Sequence, residues 1–242
     1  MRAYEADERG LASILTVCNY LQEAAGNHAF HLNLAVDQLL KQDLTWVLAR
    51  LHVRMNSYPR WRDELAITTW PSGANRLYAL RDFTLADAAG HPLGTAASAW
   101  ILLDVKNRRP VRVPAEVAAL ALRDRPRAIE EAFSRRLDEP SQPDAERNFV
   151  IRVSDLDVNQ HVNLVNYIEW SVETVPAEVR EKAMLTDLQV EFHAESVFGD
   201  EAVSRSSGGR EGDAWTFRHG VYRRADHRVL AVAATTWAPR AG

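Results

Sequence analysis

The sequence contains a single cysteine, Cys18, in 242 residues. No disulfide can form within the chain, and this cysteine usage fits a reducing compartment. Cys18 also falls in an apolar stripe, so it reads as a small core residue and not as a nucleophile. Long apolar runs are missing: none approaches the ~18 residues that a helix needs to cross a bilayer. An excess of positive charge is missing too. Lys and Arg total 29 against 33 Asp and Glu, for a net charge of -4, which excludes a surface that as a whole attracts nucleic acid. The first eight residues are polar and acidic, unlike a signal or transit peptide, and a cytoplasmic location is the expectation.

What is present is amphipathic pattern. Leu11, Ile14, Cys18, Leu21 and Ala25 step by three and four. That spacing predicts a helix over 10–26 with Gly26 as its stop. Ala49, Leu51, Val53 and Met55 then alternate with Arg50, His52 and Arg54, as in a half-buried strand. Further strands are expected near 63–70, 76–87 and 95–104.

The second half repeats this order. Val162, Val165, Ile168, Val172 and Val175 predict a helix stopped by Pro176. Leu188, Val190, Phe192 and Ala194 alternate with Gln189, Glu191, His193 and Glu195, placing His193 and Glu195 on one strand face. Strands are expected near 201–206, 214–223 and 229–237. Asp63 and Trp100 precede Asp200 and Trp237 by 137 positions, and Asn19-Tyr20-Leu21-Gln22 aligns with Asn166-Tyr167-Ile168-Glu169 at 147. The expected fold class is therefore α+β: a tandem double hotdog, each copy an antiparallel sheet wrapped around a long helix. The copies would span 1–105 and 147–242. Residues 106–146, with a helix-like stretch near 114–136 and the loop-forming Glu139-Pro140-Ser141-Gln142-Pro143, would be a linker.

One segment stands out, Ser154-Asp155-Leu156-Asp157-Val158-Asn159-Gln160-His161-Val162-Asn163. It gathers a base, an amide donor and carboxylates just ahead of the second helix, the groups needed to activate water and polarise a carbonyl. At the 147 offset, Asp157, Asn159 and His161 fall on Gly10, Ala12 and Ile14, and at 137 Glu195 falls on Tyr58. The first copy then has no such cluster, which argues for chemistry in the second. Three alternatives compete. Helix capping needs only one of these residues. A calcium loop needs Gly where Gln160 stands and Glu where Asn166 stands. A Ser196–His161–Asp157 triad lacks a nucleophile elbow. No metal and no cofactor is expected.

This segment, followed by Tyr167-Ile168-Glu169-Trp170, resembles the acyl-acyl-carrier-protein (acyl-ACP) thioesterases, the plant fatty-acyl thioesterases and their bacterial relatives. A weaker match covers Trp46–Val53, Tyr58–Asp63 and Thr69-Trp70. The resemblance implies a double hotdog that hydrolyses the thioester joining a fatty acyl chain to acyl carrier protein. It implies catalytic roles for Asp157, Asn159, His161 and Glu195. In the plant enzymes a Cys follows the Glu; here Ser196 does. That departure favours direct attack by water over a cysteine nucleophile. The chain also lacks the N-terminal extension of the plant members.

On this reading Glu195 and His161 activate the water, Asn159 polarises the carbonyl and Asp157 orients its neighbours. The first copy would hold the acyl tail, with Leu21, Ala24 and Ala25 bordering its pocket. The partner would be acyl carrier protein, drawn to a basic stretch of Lys106, Arg108, Arg109 and Arg112. No nucleic acid and no membrane span are expected, and monomer and homodimer both remain open. A hotdog thioesterase acting on acyl-coenzyme A and a non-catalytic acyl-binding hotdog are the competing functions.

Overall fold

A computed structural model describes residues 1–157 and 159–240. Val158 of the polar segment and the last two residues of the expected second copy lie outside the described residues. The chain forms two compact units, Met1–Phe133 and Ser134–Gly242. The segment 106–146, expected as a linker, is divided between them.

In the first unit, helix α1 (Ile14–His31) buries Ile14, Val17, Cys18, Leu21 and Ala25. The Ser13 hydroxyl caps it by accepting from the Thr16 N–H at 3.1 Å. The helix does not stop at Gly26. A glycine inside a helix costs only ~1 kcal/mol relative to alanine, so the chain runs on for another turn. It reverses at Asn33, whose φ is 58°. The short α2 (Val36–Leu39) leads to β1 (Leu44–Met55), β2 (Leu65–Ala74), β3 (Tyr78–Asp87) and β4 (Pro92–Asp104). These pair antiparallel in the order β2-β3-β4-β1, with β5 (Arg109–Val111) added to β4. His52, expected on the outer face of β1, is buried; its neighbours on that face, Arg50 and Arg54, reach the Phe133 carbonyl and Glu131, so that face is covered and not solvated.

The long helix expected over 114–136 is instead the single turn α3 (Ala115–Ala118) followed by turns. Pro126 bars helical conformation from the residue before it. The fully buried Asp82 carboxylate then fixes the irregular path by accepting from Arg127 Nε at 2.8 Å and the Ala128 N–H at 2.7 Å.

In the second unit, β6 (Ala145–Val150) precedes α4 (Leu164–Val172), α5 (Ala177–Lys182), β7 (Ala183–Phe192), β8 (Glu201–Glu211), β9 (Ala214–Arg223) and β10 (Val229–Pro239). Its sheet runs β7-β10-β9-β8-β6. α4 lays Val165, Tyr167, Ile168 and Trp170 against β8, β9 and β10. It ends before the residues expected to complete it, and Pro176 opens α5, a position where its fixed φ and missing N–H cost nothing. β7 ends at Phe192, so Glu195 lies in the loop that follows and not on a strand face with His193. His193 faces Glu191 instead, at 3.8 Å.

The internal repeat extends to hydrogen bonds. Trp100 Nε1 donates to Ser98 Oγ at 2.8 Å, and Trp237 Nε1 donates to Thr235 Oγ1 at 3.0 Å. The bulge in β1 at Ala49 recurs in β7 at Thr186, 137 positions on. Ahead of the helices, however, the correspondence is 150 positions and not 147. Glu5, Asp7 and Leu11 stand where Asp155, Asp157 and His161 do, as the hydrogen bonds below establish.

Candidate active site

The polar segment closes a tight loop between the 3-10 turn Val153–Asp155 and α4. The Asp157 N–H donates to the His161 carbonyl at 2.8 Å, and the Gln160 N–H donates back to the Asp157 carbonyl at 3.0 Å. Gln160 takes a φ of 62° to make this turn. One oxygen of the Asp157 carboxylate accepts from the N–H groups of Asn159 at 2.8 Å and His161 at 3.3 Å. Asp155, buried at the loop's base, accepts from the Arg152 N–H at 2.7 Å and from its guanidinium at 2.9 Å. Asn163 caps α4 by accepting from the Val165 N–H at 3.1 Å. The two carboxylates of the segment are thus turned to backbone and guanidinium donors, unlike the converging ligands of a calcium loop.

A second strip of chain docks on this loop. The Val162 N–H donates to the Ser196 carbonyl at 2.9 Å, and His161 bridges to Val197. This pairing brings His161 beside Glu195, with Nε2 3.5 Å from Oε2 and the two side chains 31% and 35% exposed. Arg223 holds the Glu195 backbone, donating from Nη2 to its carbonyl at 2.6 Å. The Tyr167 hydroxyl holds the next residue by accepting from the Ser196 N–H at 3.0 Å, and burial pushes its phenol up to about 12. Burial also raises the half-buried Glu169 carboxyl above its ordinary range. Asn159 sits on the exposed turn, and its side-chain amide makes no hydrogen bond among the described residues.

Ser196 itself is 1% exposed, and its hydroxyl has no hydrogen-bond partner among the described residues. It therefore lacks the contact with His161 that a triad nucleophile requires. Cys18 is fully buried in the first unit, and burial pushes its thiol up to about 12.

The first unit contains the same loop. The Asp7 N–H donates to the Leu11 carbonyl at 2.7 Å, and Asp7 Oδ1 accepts from the N–H groups of Arg9 at 2.9 Å and Leu11 at 3.0 Å. The Ala12 N–H donates to the Pro59 carbonyl at 2.9 Å. Asp157 therefore has an equivalent, contrary to the expectation that the first copy preserves no trace of the cluster. The 147 offset hid it, because the helix residues that seemed to match lie one turn out of register. Asn159, His161 and Glu195 are replaced by Arg9, Leu11 and Tyr58.

The first unit also holds an open cavity of about 240 Å³, lined among others by Ala25, Ala29, Leu32, Trp46, Arg81 and Trp100. Ala25 is thus at its wall. Leu21 is core at 2% exposure, and neither Leu21 nor Ala24 lines it. Lys106, Arg108, Arg109 and Arg112 are exposed, with Lys106 paired to Asp43 at 2.5 Å. Sequence reasoning missed Arg81 and Arg223, because strand arginines read as solvated until the pairing partners are known.

Comparisons with known proteins agree with this architecture. The family model for the acyl-ACP thioesterase N-terminal domain matches residues 1–121, and that for the C-terminal domain matches residues 138–239. The palmitoyl-acyl carrier protein thioesterase of Cuphea hookeriana is 35% identical over 260 residues, covering 100% of this chain and 61% of the relative. The chain thus spans less than two thirds of that relative's length. The solved 12:0-ACP thioesterase from Umbellularia californica superposes with a TM-score of 0.86 at 28% identity, over 99% of this chain and 95% of that one. A double-hotdog protein from Mycobacterium tuberculosis shares the fold at a TM-score of 0.55 and 14% identity, over 95% and 82% of the two chains. With both domain models matched in order and a double hotdog built from two copies of one helix-and-sheet unit, the chain belongs to the acyl-ACP thioesterase family.

Proposed function

We propose that this chain hydrolyses the thioester of fatty acyl chains carried on acyl carrier protein, by direct attack of water. The observation that carries the reading is the His161–Glu195 contact of 3.5 Å, in which both side chains keep about a third of their surface open. A water bridging them would lose a proton to the pair as its oxygen bonds to the thioester carbon. The Asn159 amide would donate to the carbonyl oxygen as it takes up negative charge. Collapse of the tetrahedral species would expel the carrier's thiolate, and the proton held by the pair would return to sulfur. The products are a free fatty acid and the carrier thiol.

Asp157 acts on this reading as a positioning residue. Its carboxylate faces the backbone of residues 159 and 161, fixing the turn that presents the amide and the imidazole. Direct hydrolysis accords with a Ser196 hydroxyl that does not reach His161 and a Cys18 thiol buried in the core of the first unit. Acyl carrier protein as the carrier is supported by family membership and by the names of the relatives.

The test is thiol release from matched acyl-ACP and acyl-coenzyme A substrates of eight to eighteen carbons. Preferential release from acyl-ACP is expected. Equal or better release from coenzyme A would keep the chemistry and change the carrier. No release from either, with acyl chain bound, would leave an acyl-binding protein.

A further inference from the structure

The two units finish their sheets differently at one edge. In the second unit, β6 pairs antiparallel with β8, setting Phe149 opposite Ala202 and Arg147 opposite Ser204. Phe149 stacks on Trp170 of α4 at 5.4 Å, and Arg147 Nη1 donates to the Glu173 carboxylate at 3.4 Å. With this strand in place Ala202 and Ser204 are fully buried and Trp170 is 2% exposed. In the first unit, β2 ends the sheet. The Leu122 N–H donates to the Pro71 carbonyl at 3.0 Å and covers the far end of β2. From Leu65 to Thr69 the backbone makes no hydrogen bond on the side away from β3 among the described residues.

The repeat shows what such an edge accepts. At the 137 offset Leu65 and Ile67 hold the places of Ala202 and Ser204, yet both are half-exposed. At the 150 offset Tyr20 and Glu23 on α1 hold the places of Trp170 and Glu173. Tyr20 is half-buried, and no ring stacks on it among the described residues. Glu23 is exposed; its carboxylate accepts from Asn27 Nδ2 at 3.1 Å and has no cation beside it among the described residues. The stretch also lacks the devices that protect an edge. Leu65-Ala66-Ile67-Thr68-Thr69 contains no charge, no proline and no bulge.

Main-chain groups of an open edge give a peptide its hydrogen bonds, and the side chains beside the edge give it its specificity. We infer that the β2 edge of the first unit takes an extended segment of a separate polypeptide as an added antiparallel strand. An aromatic side chain of that segment lies on Tyr20, and a basic side chain two residues before it pairs with Glu23, as Phe149 and Arg147 do in the second unit. Period-two alternation along a strand puts both on the same face. A second copy's β2 does not meet this requirement, because Leu65–Ala74 contains no cation. The inference does not rest on the hydrolytic reading above.

The probe is a fluorescein-labelled peptide with the sequence of residues 144–151, which contains β6, added to the full chain. Anisotropy reads binding, and hydrogen exchange reads the backbone amides of residues 65–69. Saturable binding is expected, with slowed exchange at the amides that face away from β3. Phe149→Ala in the peptide should weaken binding by about ten- to a hundred-fold. Arg147→Glu in the peptide should weaken it by up to about fivefold. Glu23→Lys in the protein should restore binding of that altered peptide and weaken binding of the original. These changes lie in the peptide or on an exposed helix face, so the fold of the protein is preserved. Three results would overturn the inference. One is no saturation up to about 1 mM peptide. Another is binding that leaves exchange at 65–69 unchanged, since the peptide would then displace β6 or lie elsewhere. The third is exchange at 65–69 that slows with rising protein concentration and no peptide, since a second copy would then occupy the edge.

Discussion

Two loops with matching hydrogen bonds carry different side chains in the two units. Residues 5–13 and 155–163 share the tight turn closed by an aspartate, the positive φ at Gly10 or Gln160, and the docking strip at Pro59 or Ser196. Of the side chains that differ on that frame, three pairs bear on the proposed chemistry: Arg9, Leu11 and Tyr58 in one copy, Asn159, His161 and Glu195 in the other. The frame is therefore common to both copies, and on the proposed mechanism the chemistry lies in what is mounted on it. Asp157, which looks catalytic in sequence beside Asn159 and His161, belongs to the frame, because Asp7 performs the same backbone bonding where no chemistry is assigned.

The comparison can be broken most sharply at the mounted residues. His161→Ala and Glu195→Gln should each lower thiol release from acyl-ACP by at least ~100-fold, the scale of general-base assistance, with melting temperatures near wild type. Asn159→Ala should lose about 10²–10³-fold in kcat if its amide supports the oxyanion. Folded variants with near-normal turnover would remove those residues from the mechanism.

The frame residues should separate stability from activity. Asp157→Ala and Asp7→Ala each remove two bonds to backbone N–H groups, and each should cost about 1–3 kcal/mol in denaturant unfolding. Only Asp157→Ala should also slow turnover, because only its loop presents Asn159 and His161. Equal activity in the two variants would mean that the turn does not position the site.

A pH titration probes the core of the second unit. His219 is fully buried between Thr174 and Thr235, and burial lowers its imidazole to about 3. In the unfolded chain a histidine protonates near 6.5. Below that value the unfolded state binds the proton and the folded state does not, so stability is present above pH ~6.5 and drains away as pH falls towards 3. The slope from this one group should approach ~1.4 kcal/mol per pH unit within that window. His219→Gln should flatten the pH dependence of unfolding between pH 6 and 4. An unchanged profile would place the acid sensitivity elsewhere.

Cys18 should show the smallest effect. With its thiol buried and pushed up to about 12, alkylating reagents should leave activity intact at neutral pH, and Cys18→Ala should turn over normally.

Much of this was legible in the sequence because it rests on periodicity. The alternating runs within β1 and β7 and the stripes of both helices announce themselves locally. Errors arose where long-range contacts decide. Gly26 read as a stop, but the helix passes it at small cost. Residues 114–136 look helical until the buried Asp82 claims Arg127 and Ala128. Glu195 continues the alternation of β7 in sequence, yet its strip leaves the sheet to dock on the His161 loop. The polar segment was visible, and the frame beneath it was not, because the match between copies depends on hydrogen bonds at a 150-residue offset that no side-chain identity except Asp7–Asp157 marks clearly.

The most direct test pairs equivalent positions of the two units. Steady-state thiol release from one acyl-ACP would be measured for Glu195→Gln and for Tyr58→Phe, alongside unfolding curves for both. The account predicts at least a ~100-fold loss for the first and near wild-type turnover for the second. Comparable rates in the two folded variants would contradict the assignment of hydrolysis to the second unit's loop.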